Sequence, residues 1–303
     1  MDLRRLSHFL AVVDHGGFTA AADVIDVSQP ALSLAVKELE LELGVPLFDR
    51  LGRRVQLTAA GRALAGPARQ ALRDVETGRA AVAAVSGARA GTLALASLPT
   101  LTAAPLAAMV GRFRRRYADV DLDLAAPEDS SDLVAMIQDG RCEVGLTESG
   151  HVPADLVSHP VGTQALLFIL PAGLEGGDSS SERMGDGARA MSHRFADLVD
   201  VPFIAAPVGT STRRLLDEGF AAAGAVPRIA VVTAQRDAML PLVLAGAGAA
   251  LVPEPIAAVA GALGATVARP EPTVDRSLAM IHRSGPLAPA AARFIELATS
   301  NPG

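Results

Sequence analysis

Residues 28–43 read SQPALSLAVKELELEL, and the apolar positions Leu32, Val36, Leu39 and Leu43 recur at steps of four, three and four. Only an α-helix brings positions so spaced onto one face. Ser28 stands where an N-cap belongs, and Pro30 falls in the first turn, where its missing N–H costs nothing. The same spacing occurs upstream, where Leu3, Leu6, Leu10 and Val13, with Phe9 beside them, predict a helix ended by His15-Gly16-Gly17. Between the two, Thr19 is placed to cap a short helix over TAAADVI, whose alanines permit close helix approach. Three short helices joined by tight turns fit a helix-turn-helix, whose second element lays its N-terminal half in the major groove of DNA. The buried stripe of that element leaves Gln29, Ser33, Leu34 and Lys37 facing elsewhere. The free N–H groups at the helix start, with Ser28, suit a phosphate. Gln29 suits a bidentate contact to adenine, and Ser33 either type of base edge. Glu38, Glu40 and Glu42 lie beyond the turns that approach DNA, and can face protein or solvent.

Charge is divided along the chain in the way such a module needs. The 303 residues carry a formal charge of −6, but residues 1–90 hold eleven basic residues against ten acidic ones, and residues 91–303 hold sixteen against twenty-three. Within the first part, residues 50–73 carry six arginines and no acid. That basic stripe is the electrostatic footprint of a nucleic-acid binder. Arg50, Arg53 and Arg54 fall in VPLFDRLGRRVQLTAAG, which reads as a short strand pair with Gly52 in its turn. Such a wing lies along the phosphate backbone or reaches into the minor groove. From Thr58 a long helix follows. Leu64, Ala68, Ala71, Val75, Gly78, Val82 and Val85 alternate steps of four and three, a heptad seam of small residues, and Pro67 is expected to kink it.

The stretch FTAAADVIDVSQPALSLAVKELELELGVPLFDRLGRRVQLTAAG resembles the winged helix-turn-helix of LysR-type transcriptional regulators, nearly continuously over residues 2–61. The resemblance implies that Ser28, Gln29, Pro30, Ser33, Leu34, Lys37, Arg50, Arg53 and Arg54 lie at or near DNA. Leu34 stands where the family often has a basic or polar residue, so its contact is expected with thymine methyls. The resemblance also makes residues 58–90 a dimerisation helix and hinge after a DNA-binding domain at 1–60. It implies an interrupted palindrome as target, bound by a homodimer or a homotetramer built as a dimer of dimers.

After Gly91 the pattern changes. TLALAS, VDLDLAA, CEVGLTE, ALLFILP, PFIAAP, RIAVVT, AALVP and SLAMIH read as strands, with helical stretches such as TAAPLAAMVGRFRRRY and STRRLLDEGFAAAG between them. That alternation implies an α/β domain with helices on both faces of its sheets, and ligands at the carboxyl ends of the strands. The turns there are rich in hydroxyls and amides. Ser97, Leu98 and Thr100 lie in the first, Ser130 in the second, Thr210 and Ser211 in the third, and Gln235 in the fourth. Each fits a helix cap taken alone. Feeding one cleft, they suit a small anion or carboxylate held at helix N-termini. GTLALASLPTL, IQDGRCEVGL and LVLAGAGAALVPE resemble the LysR effector domain, two lobes like those of periplasmic solute-binding proteins. The resemblance places lobe one at 91–162 with 268–303 and lobe two at 163–267, the chain crossing near Gly162 and Val267. The Gly/Ser-rich stretch 172–192 reads as a surface loop.

Other chemistry finds no support. One cysteine, Cys142, excludes a two-cysteine redox sensor and reads as an inert buried thiol. The six histidines show no paired ligand spacing, GAGAAL follows a helix where a dinucleotide fingerprint needs a strand, and no G-x-S-x-G elbow is present. No cofactor and no enzyme activity are expected. The chain has no apolar run of membrane-spanning length and no signal peptide, which points to the cytoplasm. The sequence therefore reads as an effector-responsive transcription regulator. A solute-binding or ligand-storage protein with an accessory N-terminal helical domain is the alternative.

Overall fold

Phe9 of α1 (Leu3–Asp14) is fully buried in a core that it shares with Ala21 and Ala22 of α2 (Phe18–Val24) and with Leu32, Val36 and Leu39 of α3 (Gln29–Leu43). This is a computed structural model, and it describes residues 1–51, 54–85, 91–173, 180–183 and 189–300. Two local expectations shift. Leu43 is 38% exposed, because the last turn of α3 carries it past the core before Gly44 (φ 72°) ends the helix. Thr19 lies inside α2, whose N-cap is Gly17 without any side-chain bond.

The glutamates of α3 hold the domain together. Glu40 Oε1 accepts from the N–H groups of Leu47 (2.7 Å) and Phe48 (3.2 Å), fixing the turn into the wing. Arg5 of α1 pairs with Glu38 and Glu42, each at 3.1 Å. The wing is an antiparallel pair, β1 (Phe48–Leu51) and β2 (Arg54–Leu57), with Phe48 opposite Leu57. The Phe48 ring seats the wing on the helices, 5.4 Å from the Phe9 ring and 5.6 Å from that of Phe18.

Thr58 caps α4 (Ala59–Val85), its Oγ1 accepting from the Gly61 N–H at 3.0 Å, and α4 remains one helix with Pro67 inside it. Leu64, Ala65, Ala68, Ala71 and Leu72 pack against the core of α1–α3. The first half of the small-residue seam is thus spent within the domain. Val75 is half-buried, Gly78 is exposed and Val82 is 70% exposed, so the seam open to a second chain is confined to the C-terminal half of α4. Beyond its seam, α4 lies against the first lobe. Gly140 (φ 70°) leaves room for the Arg73 guanidinium, which a side chain there would strike. Burial and the neighbouring Arg283 lower the Arg73 pKa to about 10.

The C-terminal part contains β3 (Gly91–Ser97), α5 (Pro99–Leu101), α6 (Ala107–Arg116), β4 (Val120–Ala125), α7 (Ser130–Gln138) and β5 (Val144–Glu148). It continues with β6 (Leu156–Leu170), β7 (Ser180–Arg183), β8 (Arg189–Arg194), β9 (Pro202–Ala205), α8 (Ser211–Ala222), β10 (Arg228–Val232) and α9 (Arg236–Leu244). The last elements are β11 (Ala250–Pro253), α10 (Glu254–Ala262), β12 (Thr266–Glu271), β13 (Val274–Arg283) and α11 (Pro289–Thr299). One sheet runs in the order β4-β3-β5-β13-β6-β12-β8-β7, with β11 also on β6, while β9 and β10 pair separately. Lobe one packs Phe113, Leu133, Ile137, Met280 and Phe294 around the first strands. In lobe two Phe168, Phe195, Phe203 and Phe220 occupy one face of the sheet, and Ile169, Ile204 and Val243 the other.

Two strands join the lobes. β6 crosses between Val161, in the core of lobe one, and Leu166, in the core of lobe two. The return expected near Val267 lies further on. Val267 and Ala268 still pack in lobe two, as does Val274, and Leu278 is the first core residue of lobe one. The cause is β12, which pairs with both β6 and β8 and so keeps residues 266–271 in lobe two. The stretch 172–192 also departs from a plain loop, since Ser180–Arg183 pairs antiparallel with Arg189–Ser192 at the sheet edge. No helix among the described residues is long and apolar enough to cross a membrane.

Cys142 is buried under lobe one, and burial, then Asp123, pushes its thiol up to about 11. Iodoacetamide at pH 8 is therefore expected to leave the native chain unmodified and to label one site after urea unfolding, by mass spectrometry. Because the folded pKa is raised, the fold favours the neutral thiol. That contribution is complete below about pH 8.5 and is lost as pH rises through about 11.

Candidate DNA-contacting face and inter-lobe cleft

Ser28 Oγ accepts from the Ala31 N–H (3.4 Å), which starts α3 at Gln29 and sets the direction of every side chain after it. Gln29, Pro30, Leu34 (58% exposed) and Lys37 are exposed, and Ser33 is half-exposed among them. They occupy the side of α3 opposite Leu32, Val36 and Leu39, and none of the three glutamates shares it with a free carboxylate, since all bond to protein. Backbone pairing sets Arg50 across from Val55 and Arg54 across from Leu51 in the wing. Arg53 lies outside the described residues, as do the side chains of Arg50 and Arg54.

Where the chain crosses between lobes, Arg276 of β13 lies directly opposite Gln164 of β6. The Arg276 side chain is 2% exposed, and every arm of its guanidinium is engaged. Nε donates to Gln164 Oε1 (2.8 Å), Nη1 to Ser211 Oγ (2.9 Å) and Glu148 Oε1 (3.3 Å), and Nη2 to Gln164 and to Thr100 Oγ1 (2.9 Å). The Ser211 hydroxyl donates in turn to Glu148 Oε1, and Arg214 Nη2 reaches Glu148 Oε2 at 2.7 Å. Gln164 Nε2 donates to the Ala104 carbonyl (2.6 Å), which extended backbone at Ala104 frees from the helical ladder. Burial lowers the Arg276 pKa, and the Glu148 carboxylate opposes that shift. Thr100 and Glu148 come from lobe one, Ser211 and Arg214 from lobe two, and the crossing strands supply the pair between them.

Beside this cluster is a cavity of about 320 Å³ between Pro99, Thr100 and Ala103 on one side and Ala206, Met239, Leu251, Val252 and Ile256 on the other. An adjoining pocket shares Pro99, Thr100, Thr212 and Arg236 with it and is lined also by Leu98, Glu128, Asp129, Ser130, Thr210 and Ser211.

Two family profiles cover this architecture. Residues 3–62 match the bacterial regulatory helix-turn-helix protein, lysR family, and residues 86–302 match the LysR substrate binding domain. The chain belongs to the LysR family. It is 31% identical to the HTH-type transcriptional regulator TfdT of Cupriavidus pinatubonensis over 209 residues, 69% of this chain and 86% of that one. It is 30% identical over 220 residues to a probable RuBisCO transcriptional regulator of a Synechocystis strain, 71% of this chain but only 60% of that one. The fold of full-length CbnR, solved in complex with its target DNA, superposes with a TM-score of 0.66 at 25% identity, covering 99% of each chain.

A LysR-family chain is a DNA-binding transcription regulator with an effector-binding domain and not an enzyme. The alternative of a solute-binding protein with an accessory helical domain is thereby set aside. Five of the seven cleft positions singled out in the sequence, Leu98, Thr100, Ser130, Thr210 and Ser211, line one LysR-domain cleft. Ser97 does not: it is buried, and its hydroxyl donates to the Leu98 carbonyl (3.2 Å). Gln235 does not either, standing exposed as the N-cap of α9 outside the cavity lining. Sequence reasoning missed Arg276, Gln164, Glu148 and Arg236. The one available signal was Arg276 immediately ahead of SLAMIH, a charged residue leading into the mostly apolar part of β13.

Proposed function

We propose that this LysR-family regulator binds double-stranded DNA in the cytoplasm, at an interrupted palindrome, as a homodimer or a dimer of dimers. In this reading Ser28, Gln29, Pro30, Ser33, Leu34 and Lys37 meet the major groove, and Arg50, Arg53 and Arg54 follow the backbone. The observation that carries it is the division of α3. Its N-terminal face is exposed and carries no acid, while its glutamates are committed to Arg5 and to the wing turn. A small anion or carboxylate between the lobes is the effector, and it acts by changing the angle between them. The cleft supports this because Thr100 and Ser211 converge there from opposite lobes.

Selection of bound fragments from a random duplex pool supplies the operator, and titration by fluorescence anisotropy then tests the face. Ser33→Ala is expected to lose discrimination at one base pair, about 1–3 kcal/mol. Arg54→Ala is expected to weaken all duplexes and to flatten the salt dependence by about 1 in slope. An Arg54→Ala variant with the wild-type slope removes the wing from DNA.

Assembly has its own test. Val82 is exposed on α4 and belongs to the part of the seam not used within the domain. Val82→Asp is expected to place an unpaired charge in a helix–helix contact and to shift sedimentation toward monomer without lowering the melting temperature. An unchanged oligomer moves the contact away from this seam.

A further inference from the structure

Arg276 is the most buried cation of the cleft, but it has nothing left to offer a ligand. Gln164, Ser211, Glu148 and Thr100 take up all its arms, and Glu148 already supplies the opposing charge. A second arginine is placed differently. Arg236, the first residue of α9, lines both the cavity and the pocket adjoining it. Its Nε is buried with no hydrogen-bond partner among the described residues. Its other contacts are long, 3.5 Å to the Ala234 carbonyl and 3.7 Å to Glu128, whose side chain is mostly exposed. Leaving a buried donor without a partner is costly, so the site gains from an acceptor brought by a ligand. Thr100 adds a donor, because its Oγ1 accepts from Arg276 and its own O–H remains available.

The rest of the site restricts what the acceptor is attached to. Away from Arg236, Asp237, Thr100 and Thr212 the wall is apolar, chiefly Met239, Leu251, Val252 and Ile256, which offer no side-chain hydrogen bonds. The volume, about 320 Å³, is roughly twice the ~150 Å³ that admits benzene in an apolar cavity. Glu128 and Asp129 in the adjoining pocket and Asp237 beside Arg236 surround the one cation lining these pockets with acids, which disfavours a second negative charge on the ligand. We propose that the effector is a monocarboxylic acid with an apolar, ring-sized body. Its carboxylate meets Arg236 and the Thr100 hydroxyl, and its body fills the cavity against Met239, Leu251, Val252 and Ile256. The assignment rests on the cleft being the effector site.

Calorimetric titration of the full chain tests it with three probes: cyclohexanecarboxylate, its uncharged carboxamide, and succinate. The acid is expected to bind about tenfold or more tightly than the amide, the value of one charge-assisted hydrogen bond. Succinate is expected not to bind. Arg236→Gln should bring the acid down to the affinity of the amide and leave the amide unchanged, while Arg236→Lys keeps part of the preference. Melting curves of both variants verify that they fold. Equal binding of the acid to wild type and to Arg236→Gln overturns the placement of the carboxylate. Succinate binding that is weakened by Thr100→Val, with cyclohexanecarboxylate silent, overturns the apolar body but leaves the cleft as the effector site. If neither acid binds the full chain, the monocarboxylate assignment is overturned.

Discussion

Replacing Arg276 by Met is expected to destabilise the effector domain by about 3–5 kcal/mol, the usual cost of removing one partner from a buried ion pair. The substitution keeps an unbranched side chain of moderate length, so the loss is chiefly electrostatic. Glu148 would keep Ser211 and Arg214, whose side chain is 38% exposed, but would lose its fully enclosed cation. Gln164 Oε1 and Thr100 Oγ1 would lose their donors at the same moment. Urea denaturation followed by circular dichroism reads the cost. A second substitution, Glu148→Gln, removes the stranded charge, and the double variant is expected to regain at least about 1 kcal/mol over Arg276→Met alone. If Arg276→Met costs less than the ~1 kcal/mol typical of an ordinary hydrogen bond, the cluster is not what holds the lobes in this relation.

The second large effect is expected at Glu40. One carboxylate oxygen accepts from two successive backbone N–H groups, at 2.7 and 3.2 Å, at the point where the chain leaves α3 for the wing. Leu47 and Phe48 are themselves buried, so Glu40→Ala leaves two donors inside the domain without an acceptor. At about 1–3 kcal/mol for each such group, a total of roughly 2–6 kcal/mol is expected. Phe48 is the residue that seats the wing against Phe9 and Phe18. Loss of the turn should therefore also reduce DNA affinity in a way that Glu38→Ala, at a pair open to solvent, does not. Glu40→Gln keeps one acceptor and should fall between. Thermal unfolding and anisotropy on the three variants check the order. A Glu40→Ala chain as stable as Glu38→Ala would mean that solvent satisfies the turn.

The N-terminal domain was almost wholly legible from spacing, because its contacts are local. Ser28, Pro30, Leu32, Val36 and Leu39 lie within twelve residues, and periodicity speaks directly about such stretches. Leu43 escaped because a stripe does not say where the partner helix stops. The seam of α4 was legible as a seam but not as shared property: Leu64, Ala68 and Ala71 face the chain's own α1–α3 core, and Val82 does not. In the cleft, the hydroxyls of Thr100 and Ser211 could be proposed because helix starts favour such residues. Arg276 could not, since its partners Gln164, Glu148 and Thr100 are 112, 128 and 176 positions away in sequence. β7 and β8 were hidden by glycine and serine content. β12 was hidden by Pro270, which reads against a strand although it pairs only along part of its length.

The position of β13 bears on how the molecule comes to exist. It lies between β5 and β6 in the sheet, yet it is among the last segments to be made. Lobe two is a continuous stretch, so it can close while translation is still under way. Lobe one cannot, because Leu278, Met280 and Phe294 of its core follow all of lobe two. At about 5–20 residues per second, the ribosome needs roughly 6–22 s to pass from the first crossing to the second. Throughout that interval β5 has an unpaired edge and the surfaces of Leu133 and Ile137 lack their cover, a configuration that invites pairing with a neighbouring nascent chain. The newly made regulator is thus most exposed to aggregation after most of it has been synthesised, and a premature stop before residue 278 would leave a folded lobe two attached to a lobe one unable to form.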